Sequence, residues 1–127
     1  MRWTREEIVA FAELVGDQNP MHHDEAYAAQ TRFGGLIASG CQTVAAMLAI
    51  CGSQATKDDP GVGLEFSIKL LGAARPDDEI SMRWEVVSVE QSERPRGTLV
   101  TLRGEAAGSD GRPILSATGK TLALPSL

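Results

Sequence analysis

The chain has 127 residues, 43% of them apolar, enough for one domain with a real core and too few for two ordinary ones. Its formal net charge is −5 and its twelve Lys and Arg are scattered, so it lacks the basic footprint that nucleic acid or an anionic lipid surface requires. No charged-then-apolar leader opens the chain, and its longest apolar segment, Val44 to Cys51, falls well below the roughly 20 residues of a membrane span, which predicts a cytosolic protein.

Thr4-Arg5-Glu6-Glu7 has capping-box spacing, with the Thr4 hydroxyl and the Glu7 carboxylate placed to satisfy amides at a helix start. Ile8, Phe11, Ala12, Leu14 and Val15 follow at helical spacing, and Gly16 supplies the stop. A loop then runs through Asp17-Gln18-Asn19-Pro20-Met21-His22-His23, where Pro20 forbids a continuing helix. Asp24 caps a short helix through Glu25 to Ala29 that ends near Arg32, before Gly34-Gly35. Ser39 or Gly40 caps a third helix, Cys41 to about Gly52, which is apolar on nearly every side and therefore expected to be buried on nearly every side. Cys41 and Cys51 lie on this helix about 15 Å apart, beyond disulfide reach, and are expected to be reduced, buried packing residues.

Ser53 to Gly61 is polar and turn-forming, with Lys57 to Gly61 as an exposed loop. The period then changes to two. Val62, Leu64, Phe66, Ile68 and Leu70 alternate with polar or small residues in a first long strand with one wet face, and Arg75 to Asp78 makes the turn. Ile80 to about Val89 is a second strand whose phase shifts at Val87, the signature of a bulge. Thr98 to Ala107 and Ile114 to Leu124 are the third and fourth, joined by Gly108-Ser109-Asp110-Gly111. Helices followed by antiparallel strands make an α+β domain. One apolar helix and several one-sided strands are satisfied together by a sheet curved around that helix, the hot-dog fold.

Chemistry-bearing residues gather in Gly16 to Asp24, and an apolar helix led by glycine starts shortly after Phe33-Gly34-Gly35. Loops held between rigid elements are where such groups act. The run Phe11-Ala12-x-x-x-Gly16-Asp17-x-Asn19-Pro20-x-His22-x-Asp24, followed by Phe33-Gly34-Gly35-x-Ile37-Ala38-x-Gly40, resembles the MaoC-like hydratases and dehydratases, also called (R)-specific enoyl-CoA hydratases. The resemblance implies one domain over 1–127 and an Asp17/His22 pair that activates water. It implies an oxyanion donor in the Gly40 backbone amide, with Asn19 and Ser39 as supporting residues. It also implies an acyl-CoA or acyl-carrier-protein thioester substrate, no cofactor, no metal, and a homodimer with pockets near the subunit interface. Two features depart from the family pattern. Ser39 stands where many members have His, and members carry more chain before the first helix, so the first strand is expected only as a stub around Met1 to Thr4.

The chemistry agrees with those residue types. Hydrating a conjugated thioester needs a base for the water, an acid for the α-carbon and a stabiliser for the enolate oxygen. An aspartate and a histidine can share the proton work, and an amide at a helix N-terminus offers a donor at the positive end of the dipole. The bland readings are that Asp17 is a turn residue, that Met47, Met82 and Trp84 are core, that His23 is exposed or a pocket wall, and that Tyr27 packs on the loop or lines the pocket. A metal site at His22-His23-Asp24 is disfavoured because adjacent histidines point in different directions. A hot-dog acyl-CoA thioesterase and a non-catalytic acyl-binding partner subunit are the competing functions.

Overall fold

The computed structural model describes residues 1–55 and 60–125. Helix α1 (Arg5–Val15) starts at Thr4, whose hydroxyl oxygen accepts from the Glu7 amide at 3.1 Å. The Glu7 carboxylate does not reach back to an amide; it accepts from the Thr4 hydroxyl at 3.2 Å instead. Gly16 ends α1 in the left-handed conformation, φ 77°, which glycine enters without a Cβ penalty. Ile8 and Ala12 are its buried face, whereas Leu14 and Val15 are exposed, because nothing among the described residues covers the far side of the last turn.

A single 3-10 turn (Pro20–His22) interrupts the loop, and α2 (Glu25–Ala29) follows, its Tyr27 amide bonded to Asp24 Oδ1 at 3.0 Å. The buried segment Leu36 to Ser39 then crosses the molecule, with the Ala38 amide donating to the Ala74 carbonyl at 2.8 Å. It leads into α3 (Gly40–Ala55), longer at both ends than expected. Met47 and Cys51 face inward, but Cys41, Ala45 and Ala49 are exposed along one stripe. The helix is therefore open to solvent along that stripe rather than buried all round, and of the two free cysteines Cys41 is exposed and Cys51 buried. Most of the Lys57 to Gly61 loop lies outside the described residues.

Four antiparallel strands, β1 (Gly61–Leu70), β2 (Ile80–Glu93), β3 (Arg96–Gly108) and β4 (Pro113–Ala123), lie in the order β1-β4-β3-β2. The phase shift at Val87 is a bulge, with Val86 opposite Leu102 and Ser88 opposite Thr101. A second register shift falls between Gly63 and Glu65, which carries Leu64 out to solvent. The strand stub expected at Met1 to Thr4 is not a regular strand, but the segment is tied down: Met1 exchanges two bonds with Ile80, 2.8 and 2.9 Å, and the Trp3 carbonyl accepts from the Asp77 amide at 2.7 Å.

The concave face carries the core, in which Ile8, Leu36, Met47, Ile80, Ile114 and Leu115 are fully buried. Glycines opposite aromatics let the sheet close on α3. A Cβ on Gly104 would lie 2.7 Å from the Trp84 ring, and Trp84 in turn meets Phe66 edge-to-face with centroids 6.0 Å apart. Trp84 Nε1 donates to the Met47 carbonyl at 2.8 Å, so one half-buried indole ties the middle of the sheet to the middle of the helix.

Candidate active site

Gly16 and the helix stop deliver Asp17 beyond the end of α1, where the Asp17 amide still donates to the Ala12 carbonyl at 2.9 Å. Its carboxylate is held at both oxygens. Oδ1 accepts from the Asn19 amide at 3.1 Å, and Oδ2 accepts from the Ser39 hydroxyl at 2.6 Å. These bonds stabilise the charged form, so the Asp17 pKa lies below its ordinary 3.8, chiefly through Ser39 and then Asn19, with His22 and His23 adding smaller pulls against the opposing effect of desolvation.

His22 is buried, and its Nδ1 lies 2.8 Å from the Ile37 carbonyl. A carbonyl only accepts, so Nδ1 carries the proton and Nε2 is left to face Asp17 Oδ2, 3.4 Å away. That gap is open to a proton on Nε2 or to a water touching both groups. Asn19 turns onto its own loop, its Oδ1 accepting from the Met21 amide at 3.1 Å. His23 is neither exposed nor a cavity wall; its Nε2 lies 2.5 Å from the Asp17 carbonyl and braces the same loop. Tyr27 is half exposed and stands outside the cavity walls. Met47, Met82 and Trp84 all belong to the core or pack on it.

Ser39 does two things at once. Besides donating to Asp17, its Oγ accepts from the Cys41 amide at 3.3 Å and so caps α3. Gly40 is the first residue of α3, and among the described residues nothing bonds its amide. It lies close under Leu70, where a Cβ would approach Cδ1 to 2.7 Å. His22, Phe33, Ile37, Gly40, Thr43 and Leu70 are among the residues enclosing a cavity of about 460 Å³ that opens to solvent.

Asp17, Asn19, His22, Ser39 and Gly40 are thus brought into one neighbourhood from three separate elements. Sequence reasoning missed the Ile37 carbonyl that orients His22, and the bond from Ser39 to Asp17. It also passed over Thr43, buried on the cavity wall three residues after Gly40; a lone threonine one turn into an apolar helix was the available signal.

The family model described as MaoC like domain matches residues 1–106. The chain is 30% identical over 123 residues to the 3-hydroxybutyryl-CoA dehydratase of Methylorubrum extorquens, covering 94% of this chain and 76% of that protein. It is 32% identical over 103 residues to the (R)-specific enoyl-CoA hydratase of Aeromonas caviae, covering 79% and 73%. Among solved structures, the (R)-hydratase from A. caviae involved in PHA biosynthesis superposes with a TM-score of 0.85 at 25% identity, over 98% of this chain and 90% of that one.

Proposed function

The chain belongs to the MaoC-like domain family, and from that premise we propose that it reversibly hydrates a trans-2-enoyl thioester, on CoA or an acyl carrier protein, to the (R)-3-hydroxyacyl thioester. The observation that carries the reading is the 3.4 Å approach of His22 Nε2 to Asp17 Oδ2 beside a cavity lined by both His22 and Gly40.

A water beside the two groups, within reach of both, donates one hydrogen to the Asp17 carboxylate and one to the His22 Nε2 lone pair. Its oxygen bonds to the β-carbon as the π electrons shift toward the carbonyl. Charge gathers on the thioester oxygen, which takes the Gly40 amide at the positive end of α3. The proton lost by the water passes from the pair to the α-carbon, so the elements of water are added and no cofactor enters. Low pKa keeps Asp17 ionised at neutral pH, and Ser39 holds it in place. One oxyanion donor of this kind is worth on the order of 3 kcal/mol of transition-state stabilisation.

The same reading includes a symmetric homodimer. β1 is a sheet edge with Val62, Leu64 and Leu70 exposed, and native proteins pair or cover such edges. Leu70 and Leu71 line the cavity, so a second copy paired along β1 would wall in the site.

The test is the decay of the conjugated enoyl absorbance for a panel of enoyl-CoA substrates, with the product resolved for chirality. Release of free thiol in place of hydration would identify a thioesterase, and tight binding without turnover an acyl-binding module.

A further inference from the structure

Charge on the cavity rim runs against the charge of the chain. The protein carries a net −5, and Arg2, Arg5, Arg83, Arg103 and Arg112 each have a carboxylate within 4.0 Å. Arg32 has none among the described residues, donates no hydrogen bond, and lines the cavity that holds His22 and Gly40. Its guanidinium lies over the Phe33 ring, 4.9 Å from the centroid, a contact that holds the group without neutralising its charge.

A second guanidinium converges on the same residue. Arg75 Nη1 donates to the Phe33 carbonyl, and the rest of its fork is uncommitted. Two acids on adjoining segments are already engaged: Glu25 pairs with Arg5 at 2.6 Å, while Asp78 pairs with Arg112 at 3.0 Å and accepts from the Arg75 amide. Two cations therefore meet at Phe33: Arg32 lines the cavity that holds His22 and Gly40, and Arg75, exposed, is bonded to the carbonyl of the same cavity-wall phenylalanine.

We propose that Arg32, seconded by Arg75, anchors a phosphate on the carrier arm of the thioester substrate. The proposal rests on the hydratase reading and adds the means of substrate capture. A guanidinium meets phosphate through paired N–H donors, and one already packed over an aromatic ring gives up less rotamer freedom when it binds. An arm gripped at Arg32 can lay its thioester toward Gly40 and His22, which line the same cavity. Arg32 is thus a positioning residue that touches the carrier and leaves the reacting atoms alone.

Arg32→Met keeps the apolar stem on Phe33 and removes the charge. Its Michaelis constant for crotonyl-CoA should rise about tenfold or more, the range for one charge-assisted bond to phosphate, with kcat within about twofold of the parent. With crotonyl-pantetheine, which has no phosphate, parent and variant should be alike. Added salt should erode the parent's advantage on crotonyl-CoA and leave the variant unchanged. If the effect persists with crotonyl-4′-phosphopantetheine, the phosphate gripped is the one common to CoA and carrier proteins; if it needs whole CoA, it is a nucleotide phosphate. Equal losses on crotonyl-CoA and crotonyl-pantetheine, or no loss on crotonyl-CoA, overturn the anchor. A parent that hydrates no thioester refutes the hydratase reading instead, and calorimetric binding of free CoA to parent and Arg32→Met then decides the anchor by itself.

Discussion

Replacing Ser39 with alanine removes two bonds of different kinds, and the structure says how each should show. The 3.3 Å acceptor bond from the Cys41 amide is a helix cap, worth about 1 kcal/mol or somewhat less at this length. The 2.6 Å donor bond to Asp17 Oδ2 is charge-assisted, a class worth about 1.5–3 kcal/mol, but the Asp17 side chain is 26% exposed and water can replace part of it. The sum is about 2 kcal/mol at neutral pH, twice what capping alone would cost. The two parts separate by pH. Asp17 has a folded pKa below its ordinary value, so its contribution is full above about 3.8 and is lost as pH falls through the depressed pKa. The cap has no such dependence. Urea titrations of parent and Ser39→Ala should therefore differ most near neutrality and converge toward the cap's share in acid. The acid limb of kcat/KM should move to higher pH as Asp17 returns toward its ordinary value, with about tenfold lower kcat from a carboxylate no longer held in register. A stability loss that is the same at both pH values, with an unmoved acid limb, would refute any action of Ser39 on the charge of Asp17.

Asp17→Asn and His22→Ala should each lower turnover by about 10²–10⁴ and the double variant by little more, as groups acting as a unit do; a single variant with near-parental rates in a stopped-flow hydration assay would exclude its residue from the chemistry. His22→Ala should also cost about 1–2 kcal/mol of stability in denaturant titrations, because the Ile37 carbonyl loses its buried donor. Gly40→Val should displace the exposed Leu70 side chain and crowd the thioester approach, giving a folded protein by circular dichroism with severely reduced hydration of crotonyl-CoA. Leu64→Lys on the β1 edge should lower the mass found by light scattering from dimer to monomer, and a parent that is monomeric at micromolar concentration would remove the homodimer.

Much of the fold is legible because local signals and tertiary demands agree. The caps at Thr4 and Asp24, the stop at Gly16 and the bulge at Val87 each have one cheap local solution, and the structure uses it. What is not legible depends on what covers a surface. Leu14, Val15 and Leu64 carry the apolar pattern of a buried face yet are exposed in the single chain, and Cys41, Ala45 and Ala49 leave α3 open along one stripe. Hydrophobic periodicity reports that a face is to be covered and is silent on whether the cover is the same chain. At the candidate site the residue types are readable, but the bond from Ser39 to Asp17 spans 22 positions and no spacing rule reaches it.

That long-range bond also resolves a conflict in the electrostatics of Asp17. A carboxylate just past the C-terminus of α1 sits at the negative end of that helix's dipole, which disfavours its charge. The same group accepts a bond from the capping residue of α3, at the positive end of a helix of 16 residues. The pKa falls below its ordinary value, and the largest single cause is the Ser39 hydroxyl, followed by the Asn19 amide. The arrangement makes one serine the common support of two functions: it closes the first turn of α3 without using the Gly40 amide, and it fixes the carboxylate that stands across from His22. A histidine at position 39 could not reproduce both bonds with one atom, since a ring nitrogen either donates or accepts, whereas a hydroxyl oxygen does both. One hydroxyl therefore holds the loop and the helix together.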